Sequence, residues 1–424
     1  MTPRAVRRAA GALLLVLTIL VLALVSSPGD AAAVTSTTRP AAPSTSVAPT
    51  AGVKPATTST TNPARAVAAG APPIHGATAI LINTADGRVL YEKRADARRP
   101  IASTTKIMTG ILAIETLSPD AMVKASKHAT EAGESEIWLT PGEELSVHDL
   151  LYGLLVKSGN DAAVALGEAS AGTEKAFVAR MNAKAAELGL TNTHFITPHG
   201  LDDKAYSSAR DLAILGRYAM QNPLFAKIVG TAKVTIPWPG KPYDRILENH
   251  NQLLGKEPFV TGIKTGYTAD AGYCFVGAGT RDGVSLVSVV LGGRERDPVF
   301  ADSAKLMEWG FDQYRQVVLA EKGASVAEVD VPYHYGEKLP LVTEKGLETS
   351  VFQDEVVTRT VSVQSGVTLP VRAGQQLGTV TYQVGGKPAG EVALVATRDI
   401  EEATLRVKMQ YLFDRVGAWM GWRA

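Results

Sequence analysis

The sequence predicts an α+β fold in which one antiparallel sheet carries a helical subdomain at its side. Strand-like runs occur near both ends of residues 74–317, and the stretch between them has apolar residues at helical spacing. Strands gathered at the two ends of a helical segment are typical of a single antiparallel sheet with helices packed beside it. Short Val-rich segments predict a small all-β domain over 318–403, and an amphipathic helix is expected over 404–424.

The bulk composition is that of a soluble globular protein, with 45% hydrophobic and 20% charged residues. At 424 residues the chain exceeds the usual size of one hydrophobic core, so two folded domains with tails are expected. A net charge of +1 gives no reason to expect nucleic acid as a partner. Cys274 is the single cysteine, which excludes an intramolecular disulfide. The sequence has neither an H-E-x-x-H nor a G-x-S-x-G motif, which disfavours a metal-dependent hydrolase and an α/β-hydrolase, and no metal site is predicted.

The N-terminus has the pattern of an export signal. Arginines within the first eight residues precede an apolar run over 11–25, and small residues at 31–33 suit cleavage. We therefore expect a signal peptide over 1–33 and an exported protein. An uncleaved membrane anchor is the alternative, although the apolar run is shorter than a usual membrane span.

Residues 34–73 consist almost entirely of Thr, Ser, Pro, Ala and Gly. Such a segment cannot bury enough apolar surface to offset the entropy lost on ordering, so a disordered tether is expected. This composition is compatible with a spacer and equally with a variable linker that has no role beyond its length.

The elements of the first folded domain, over 74–317, follow from local patterns. Asp86-Gly87 predicts a hairpin turn between two apolar runs, and Ser103 is expected to open a helix with apolar residues on one face. Further helices are predicted over 147–156, 162–171, 175–188 and 209–220, strands over 273–278 and 284–291, and a closing helix over 298–314.

The chain end, over 404–424, combines an apolar stripe with basic residues and tryptophan. The stripe consists of Leu405, Met409, Leu412, Phe413, Val416 and Met420. Trp419 and Trp422 stand near its end, and this combination suits a helix lying in a membrane interface. A closing helix packed on the β domain is the alternative.

The first chemical motif is Ser103-Thr104-Thr105-Lys106. Residues three apart share a helix face, so the Lys106 amine can lie beside the Ser103 hydroxyl, which needs a base before it can act as a nucleophile. Burial, with Lys264 as a second cation nearby, would lower the pKa of Lys106 and leave its amine neutral. Taken alone, the motif is equally an N-cap serine followed by an exposed lysine.

The second motif is Ser158-Gly159-Asn160, directly after an apolar stretch that predicts a buried helix. The Ser158 hydroxyl can relay a proton to a leaving amine, and the Asn160 amide can orient both the lysine and the substrate. In isolation a helix-terminating turn explains the same residues.

The third motif, Lys264-Thr265-Gly266, stands at an expected strand end. Glycine allows a substrate backbone to approach, and the lysine and threonine can bind a carboxylate. As a lone tripeptide this is a common turn. All three motifs occur once and in this order, which favours acyl transfer through a serine ester over three unrelated turns.

These motifs and their flanking residues resemble the low-molecular-mass penicillin-binding proteins that act as D-alanyl-D-alanine carboxypeptidases, the S11 serine peptidases. The similarity extends to Gly189–Phe195, Tyr206–Asp211 and Ala271–Cys274, and covers residues 74 to 424. It implies a DD-peptidase/β-lactamase-like sheet with a helical subdomain, followed by the β domain and the membrane-associating helix of that family.

The resemblance implies a role for each motif residue. Ser103 would form the acyl ester, Lys106 would be the general base, and Ser158 with Asn160 would transfer protons and orient the substrate. Lys264 and Thr265 would hold the terminal carboxylate, Gly266 belongs to the same substrate-binding motif, and the backbone N–H groups of Ser103 and Tyr267 would form the oxyanion hole. The implied substrates are peptidoglycan stem pentapeptides, with β-lactams as covalent inhibitors, no cofactor, and the outer face of the cytoplasmic membrane as partner.

Three other functions remain possible from the sequence. A class A β-lactamase would require Asp at the position of Gly159 and a downstream E-x-x-L-N segment, which the chain lacks. A D,D-endopeptidase would use the same residues on a cross-linked substrate. A wall-binding scaffold with a silent site is disfavoured by the intact motif set. Arg294 is either a further carboxylate contact or an exposed loop residue.

Overall fold

The computed structural model describes residues 70–202, 204–334, 336–364 and 366–419. The expected signal peptide over 1–33 lies outside these residues, as does the expected tether apart from residues 70–73. Within the described ranges no helix combines the length and apolar character needed to cross a membrane.

Strands and helices are numbered here in chain order over the described residues. The strands are β1 (Thr78–Asn83), β2 (Val89–Lys93), β3 (Met122–Lys124), β4 (Glu144–Ser146), β5 (Lys233–Ile236), β6 (Arg245–Glu248), β7 (Val260–Thr268), β8 (Gly272–Arg281), β9 (Val284–Gly293), β10 (Tyr314–Ala320), β11 (Ser325–Asp330), β12 (Lys338–Thr343), β13 (Leu347–Phe352), β14 (Val357–Val363), β15 (Gln376–Val384) and β16 (Lys387–Ala396). The α-helices are α1 (Lys106–Thr116), α2 (Val147–Leu155), α3 (Asn160–Ala171), α4 (Glu174–Glu187), α5 (Ala209–Met220), α6 (Pro223–Val229), α7 (Arg296–Phe311) and α8 (Leu405–Trp419).

The main sheet has the strand order β2-β1-β9-β8-β7, and every neighbouring pair is antiparallel. Asp282 and Gly283 join β8 to β9 with φ angles of 52° and 77°, the left-handed conformation that a tight hairpin turn requires. Because the strands come from both ends of the domain and helices α1–α6 from its middle, the predicted α+β class is confirmed.

The two faces of this sheet are covered by different helices. Along β1, Ile80 and Ile82 belong to the core shared with helices α1–α6, whereas Ala79 and Leu81 belong to the core under α7. Side chains alternate in this way because successive residues of a strand point to opposite faces. The sheet is therefore a rigid middle layer, and its edge strand β7 lies beside the turn that precedes α1.

Several expected boundaries differ in the structure, including those around two of the motifs and the closing helix. Ser103 lies in a 3₁₀ turn over 102–105, in which both the amide and the hydroxyl of Thr104 donate to the Ile101 carbonyl, and the α-helix begins only at Lys106. The helix expected over 298–314 ends at Phe311, and Tyr314 instead begins β10 and pairs with Phe352. The third motif lies within β7 rather than at its end, since pairing with β8 continues to Thr268.

The C-terminal region is all-β, as expected, with its own hydrophobic core. Its sheet has the order β11-β12-β16-β15-β14, while β10 and β13 form a separate ribbon. Its core includes Leu341, Val380, Val392 and Leu394, all fully buried. The strands β10, β12 and β13 are not predicted by the sequence. Charged residues, a proline or small polar residues interrupt their apolar patterns.

Candidate active site

Ser103 and Lys106 lie on one side of the turn that leads into α1. The Lys106 Nζ atom is 2.8 Å from the Ser103 Oγ atom, which is hydrogen-bonding distance. Lys106 is fully buried, so its amine is held against the hydroxyl instead of extending into solvent. The spacing of the first motif thus places amine and alcohol in direct contact.

The Lys106 amine has two further partners. Its Nζ donates to Asn160 Oδ1 at 2.7 Å and to the backbone carbonyl of His199 at 3.0 Å. A neutral amine has two N–H donors and one lone pair, so these two acceptors leave the lone pair for the hydroxyl of Ser103. The arrangement has the geometry required of a general base and its nucleophile.

The pKa of Lys106 is lowered well below its ordinary value, chiefly because the amine is buried and also because Lys264 adds a positive charge nearby. Burial likewise lowers the pKa of Lys264, to about 7. Placing two cations in one buried region is unfavourable, and the loss of a proton from one of them relieves it. Burial and the nearby positive charge of Lys264 therefore both favour a neutral Lys106 amine.

Ser158 and Asn160 lie where helix α2 passes into α3. Ser158 is 4% exposed and has a φ angle of 67°, which turns the chain sharply between the two helices. Asn160 begins α3, and its Nδ2 donates to the Gly133 carbonyl at 2.8 Å. That bond fixes the amide so that its oxygen faces Lys106. Ser158 lines the same cavity as Ser103.

Strand β7 brings the third motif to this cavity. Lys264 is buried and its Nζ donates to the Thr265 carbonyl at 3.1 Å, while Thr265, Gly266 and Tyr267 line the cavity wall. A Cβ atom at position 266 would lie 3.0 Å from the Ser103 amide nitrogen, tighter than ordinary contact. Glycine is needed here because β7 passes so closely over the turn that carries Ser103.

The cavity has a volume of about 520 Å³ and includes residues that the sequence analysis did not single out. Glu134, Lys157, Glu248, His250 and Arg296 lie in its wall. Glu134, at a φ angle of 59°, belongs to the loop held by Asn160. Lys157 directly precedes the second motif, whereas Glu134, Glu248, His250 and Arg296 come from parts of the chain that carry no motif.

Arg294, left open by the sequence, is exposed and does not line the cavity, whereas Arg296 does. In the described ranges no three His, Cys, Asp or Glu side chains are grouped so that they could hold a metal ion.

Comparison with known proteins gives the family. A profile described as D-alanyl-D-alanine carboxypeptidase, Peptidase_S11, matches residues 65–295, and a second, the C-terminal domain of penicillin-binding protein 5, matches residues 314–402. The chain belongs to the S11 family of D-alanyl-D-alanine carboxypeptidases. It is a serine peptidase by family, as its three motifs predict.

Relatives in this family match most of the chain. It is 33% identical to the Bacillus subtilis D-alanyl-D-alanine carboxypeptidase DacF over 358 residues, covering 81% of this chain and 89% of the relative. The Escherichia coli carboxypeptidase DacA is also 33% identical, over 83% of this chain and 90% of its own.

A solved structure of penicillin-binding protein 5 from Haemophilus influenzae shares the fold, with a TM-score of 0.56 and 31% identity over 78% of this chain and 99% of that one.

Proposed function

We propose that the protein is a serine-type D-Ala-D-Ala carboxypeptidase that removes the terminal D-alanine from peptidoglycan stem pentapeptides. The observation that carries the proposal is the 2.8 Å contact between the buried Lys106 amine and the Ser103 hydroxyl. A lysine whose pKa is lowered by burial can accept the serine proton at neutral pH.

In the acylation step, Ser103 Oγ attacks the carbonyl carbon of the penultimate D-alanine while its proton passes to Lys106 Nζ. The resulting oxyanion is stabilised by the backbone N–H groups of Ser103 and Tyr267. The strand that carries Tyr267, β7, passes beside the 3₁₀ turn that carries Ser103. The C–N bond then breaks, and the proton passes through the Ser158 hydroxyl to the leaving amine. Free D-alanine and a Ser103 ester result.

Recognition of the substrate end falls to β7. The terminal carboxylate is bound by the Lys264 ammonium and the Thr265 hydroxyl, and Gly266 lets the substrate backbone approach the strand. The anion also raises the pKa of Lys264 from about 7 and keeps that side chain cationic while Lys106 is neutral.

Deacylation uses the same groups. Lys106 takes a proton from water, the hydroxide attacks the ester carbonyl, and the Ser103 hydroxyl is regenerated. A β-lactam acylates Ser103 in the same way. The chain lacks the additional glutamate segment of a class A β-lactamase, so the resulting penicilloyl ester should hydrolyse slowly.

Mass spectrometry after penicillin treatment tests this function. The expected result is one penicilloyl adduct on Ser103, absent from Ser103→Ala and retained by Ser135→Ala, a serine in the wall of the same cavity. An unmodified Ser103 would contradict the acyl-enzyme mechanism. Release of D-alanine from a pentapeptide is the matching activity assay, and cleavage of cross-linked dimers without D-alanine release would indicate an endopeptidase instead.

The location of the protein is part of the proposal: export, with attachment to the outer face of the cytoplasmic membrane through α8. Support comes from Leu405, Met409, Phe413 and Val416, which lie on one face of α8 and are all exposed. An exposed apolar stripe flanked by basic residues favours the interface of an anionic membrane.

Co-sedimentation with vesicles of anionic phospholipid tests this attachment. Phe413→Asp should abolish binding, because it places a charge in the apolar stripe. Val318→Asp, at a similarly exposed apolar position of the β10–β13 ribbon, is the matched control and should bind normally. Equal binding by Phe413→Asp and the unmodified protein would exclude α8 as the attachment site.

A further inference from the structure

Three aromatic side chains form an exposed ridge beside the active-site cavity. Trp138 and Trp238 stack with ring centroids 6.1 Å apart, and Tyr243 meets Trp238 edge-on at 5.7 Å. Trp138 is 50% exposed and Tyr243 is 60% exposed, so the ridge presents ring surface to solvent. Large aromatic side chains are normally buried, and a contiguous exposed group of them is typical of a binding surface.

A buried arginine supports this aromatic ridge from below. The Arg245 guanidinium lies 4.6 Å from the Trp238 ring centroid and donates to the backbone carbonyls of Trp138 and Pro237 at 3.2 and 3.0 Å. Its charge is balanced by Glu143 at 2.6 Å. One side chain thus ties the loop that carries Trp138 to the β5–β6 hairpin, so the rings are ordered before any ligand binds.

The backbone at Trp138 carries strain. Its φ angle is 59°, an uncommon conformation for a residue other than glycine. The amides on either side, of Ile137 and Leu139, both donate to the Asp161 carboxylate at 3.0 to 3.1 Å and hold the loop in place. A strained backbone that keeps an indole in solvent adds nothing to the core, and such strain is typical of binding sites.

The ridge is continuous with the catalytic cavity. Ser135, in the same loop as Trp138, lines the cavity and accepts a backbone hydrogen bond from Asn160. Lys157 also lines the cavity, and its Nζ lies 5.4 Å from the Trp138 ring centroid. The strand β6, which follows Tyr243 in the chain, ends at Glu248, and Glu248 also lines the cavity. A ligand that extends out of the cavity on this side meets the ridge directly.

We propose that the aromatic ridge binds a sugar ring of the glycan strand to which the stem peptide is attached. This inference rests on the proposed function, since the stem peptide held in the cavity carries the glycan at its other end. A pyranose has an apolar C–H face that fits an indole or phenol ring, and hydroxyl groups at its rim that fit a charged neighbour such as Lys157, whose Nζ lies 5.4 Å from the Trp138 ring centroid. This cation beside the ring and the polar cavity wall next to it favour a polar, ring-shaped ligand over a lipid surface.

The stem peptide is a short connection between the scissile bond and the glycan. An extended peptide advances by about 3.3–3.6 Å per residue, so the outer residues of a pentapeptide emerge from the cavity within a few residues of the scissile bond. Lys157 spans from the cavity wall to the Trp138 ring. The ridge would therefore give the enzyme a preference for polymeric peptidoglycan over free peptide.

The first test measures binding of glycan strands freed of their stem peptides, by titration of tryptophan fluorescence and by co-sedimentation. Trp138→Ala and Tyr243→Ala should each weaken binding about three- to tenfold, the scale of one aromatic contact. Tyr333→Ala is a matched control. Tyr333 is an exposed ring at a φ angle of 66°, edge-on to Tyr411 and 5.3 Å from a lysine Nζ, and lies in the other domain.

The second test compares kcat/KM on glycan-linked pentapeptide with kcat/KM on the free pentapeptide. The ratio should fall in Trp138→Ala and Tyr243→Ala and stay unchanged in Tyr333→Ala. If Trp138→Ala and Tyr243→Ala leave both the kcat/KM ratio and the glycan binding unchanged, the inference is wrong. It is also wrong if these two variants lose binding to lipid vesicles but keep their binding to glycan. Failure of the proposed function looks different: the unmodified protein would release no D-alanine from either substrate, while the glycan titration would still report on the ridge.

Discussion

Lys106 Nζ lies 2.8 Å from Ser103 Oγ and gives its remaining hydrogen bonds to Asn160 Oδ1 and the His199 carbonyl. The amine is therefore held by two acceptors that leave its lone pair directed at the nucleophile. The site carries a base that is positioned before substrate arrives, which reduces the reorganisation needed in the acylation step.

Lys106→Gln should lower the rate of acylation by penicillin by about 10²- to 10⁴-fold, because general-base catalysis is lost while the fold keeps a polar side chain at the position. Stopped-flow fluorescence or mass spectrometry at timed intervals gives this rate. Lys157→Gln, which removes a lysine from the same cavity wall, should acylate at close to the unmodified rate. If Lys106→Gln and Lys157→Gln lower the acylation rate equally, the rate depends on the positive charge of the site and not on the contact between Lys106 and Ser103.

Lys264→Gln should move the acidic limb of the acylation pH profile to higher pH. In the unmodified protein the charge of Lys264 helps to lower the pKa of Lys106. Without that charge Lys106 binds its proton more tightly, so the neutral base is populated only at higher pH. The second-order rate constant of acylation, measured as a function of pH, gives this shift. If the acidic limb of Lys264→Gln stays where it is in the unmodified protein, burial alone sets the pKa of Lys106.

Gly266→Ala should reduce both acylation by penicillin and D-alanine release by at least about tenfold, since a misplacement on the order of 1 Å can cost that much. The new methyl group would lie 3.0 Å from the Ile101 carbonyl oxygen and the Ser103 amide nitrogen. Both are backbone atoms, so β7 or the nucleophile turn must shift. Gly366→Ala, whose added Cβ meets no atom within 4 Å, is the control and should leave both rates unchanged.

Glu143→Gln should destabilise the catalytic domain by about 3–5 kcal/mol, because it leaves the Arg245 charge buried without its counter-ion. The two side chains are 2% and 0% exposed. Thermal unfolding measures the effect. Asp330→Asn breaks an ion pair whose side chains are 81% and 52% exposed, and it should change stability by about 1 kcal/mol or less. A loss for Glu143→Gln no larger than this would show that the buried pair contributes little.

The catalytic half of the fold was largely predictable from the sequence because its elements have regular apolar patterns. Helix α5 begins and ends at the expected residues, Ala209 and Met220. The short strands β5 and β6 and helix α6 were not anticipated, since their few apolar residues give no clear period. Their positions depend on tertiary contacts such as those of the buried Arg245, which no local pattern reveals.

The site was predictable in its motifs and not in its surroundings. The motifs identified Lys106, Ser158 and Thr265, which contact Ser103 or line the same cavity, and the roles assigned to them stay predictions until tested. The His199 carbonyl that fixes Lys106 is a backbone atom, and any residue type could have supplied it. Trp138 stood in the sequence with no motif around it, and its importance comes only from its exposure and backbone conformation in the fold.

Strand β7 is the last strand of its sheet, and in the described part of the chain no further strand pairs with its outer edge. An extended guest can add to this edge as a further strand. Main-chain pairing of this kind depends on the direction and backbone spacing of the guest and very little on its side chains. A guest with methylated amide nitrogens should thus be excluded even when its side chains are those of a good substrate.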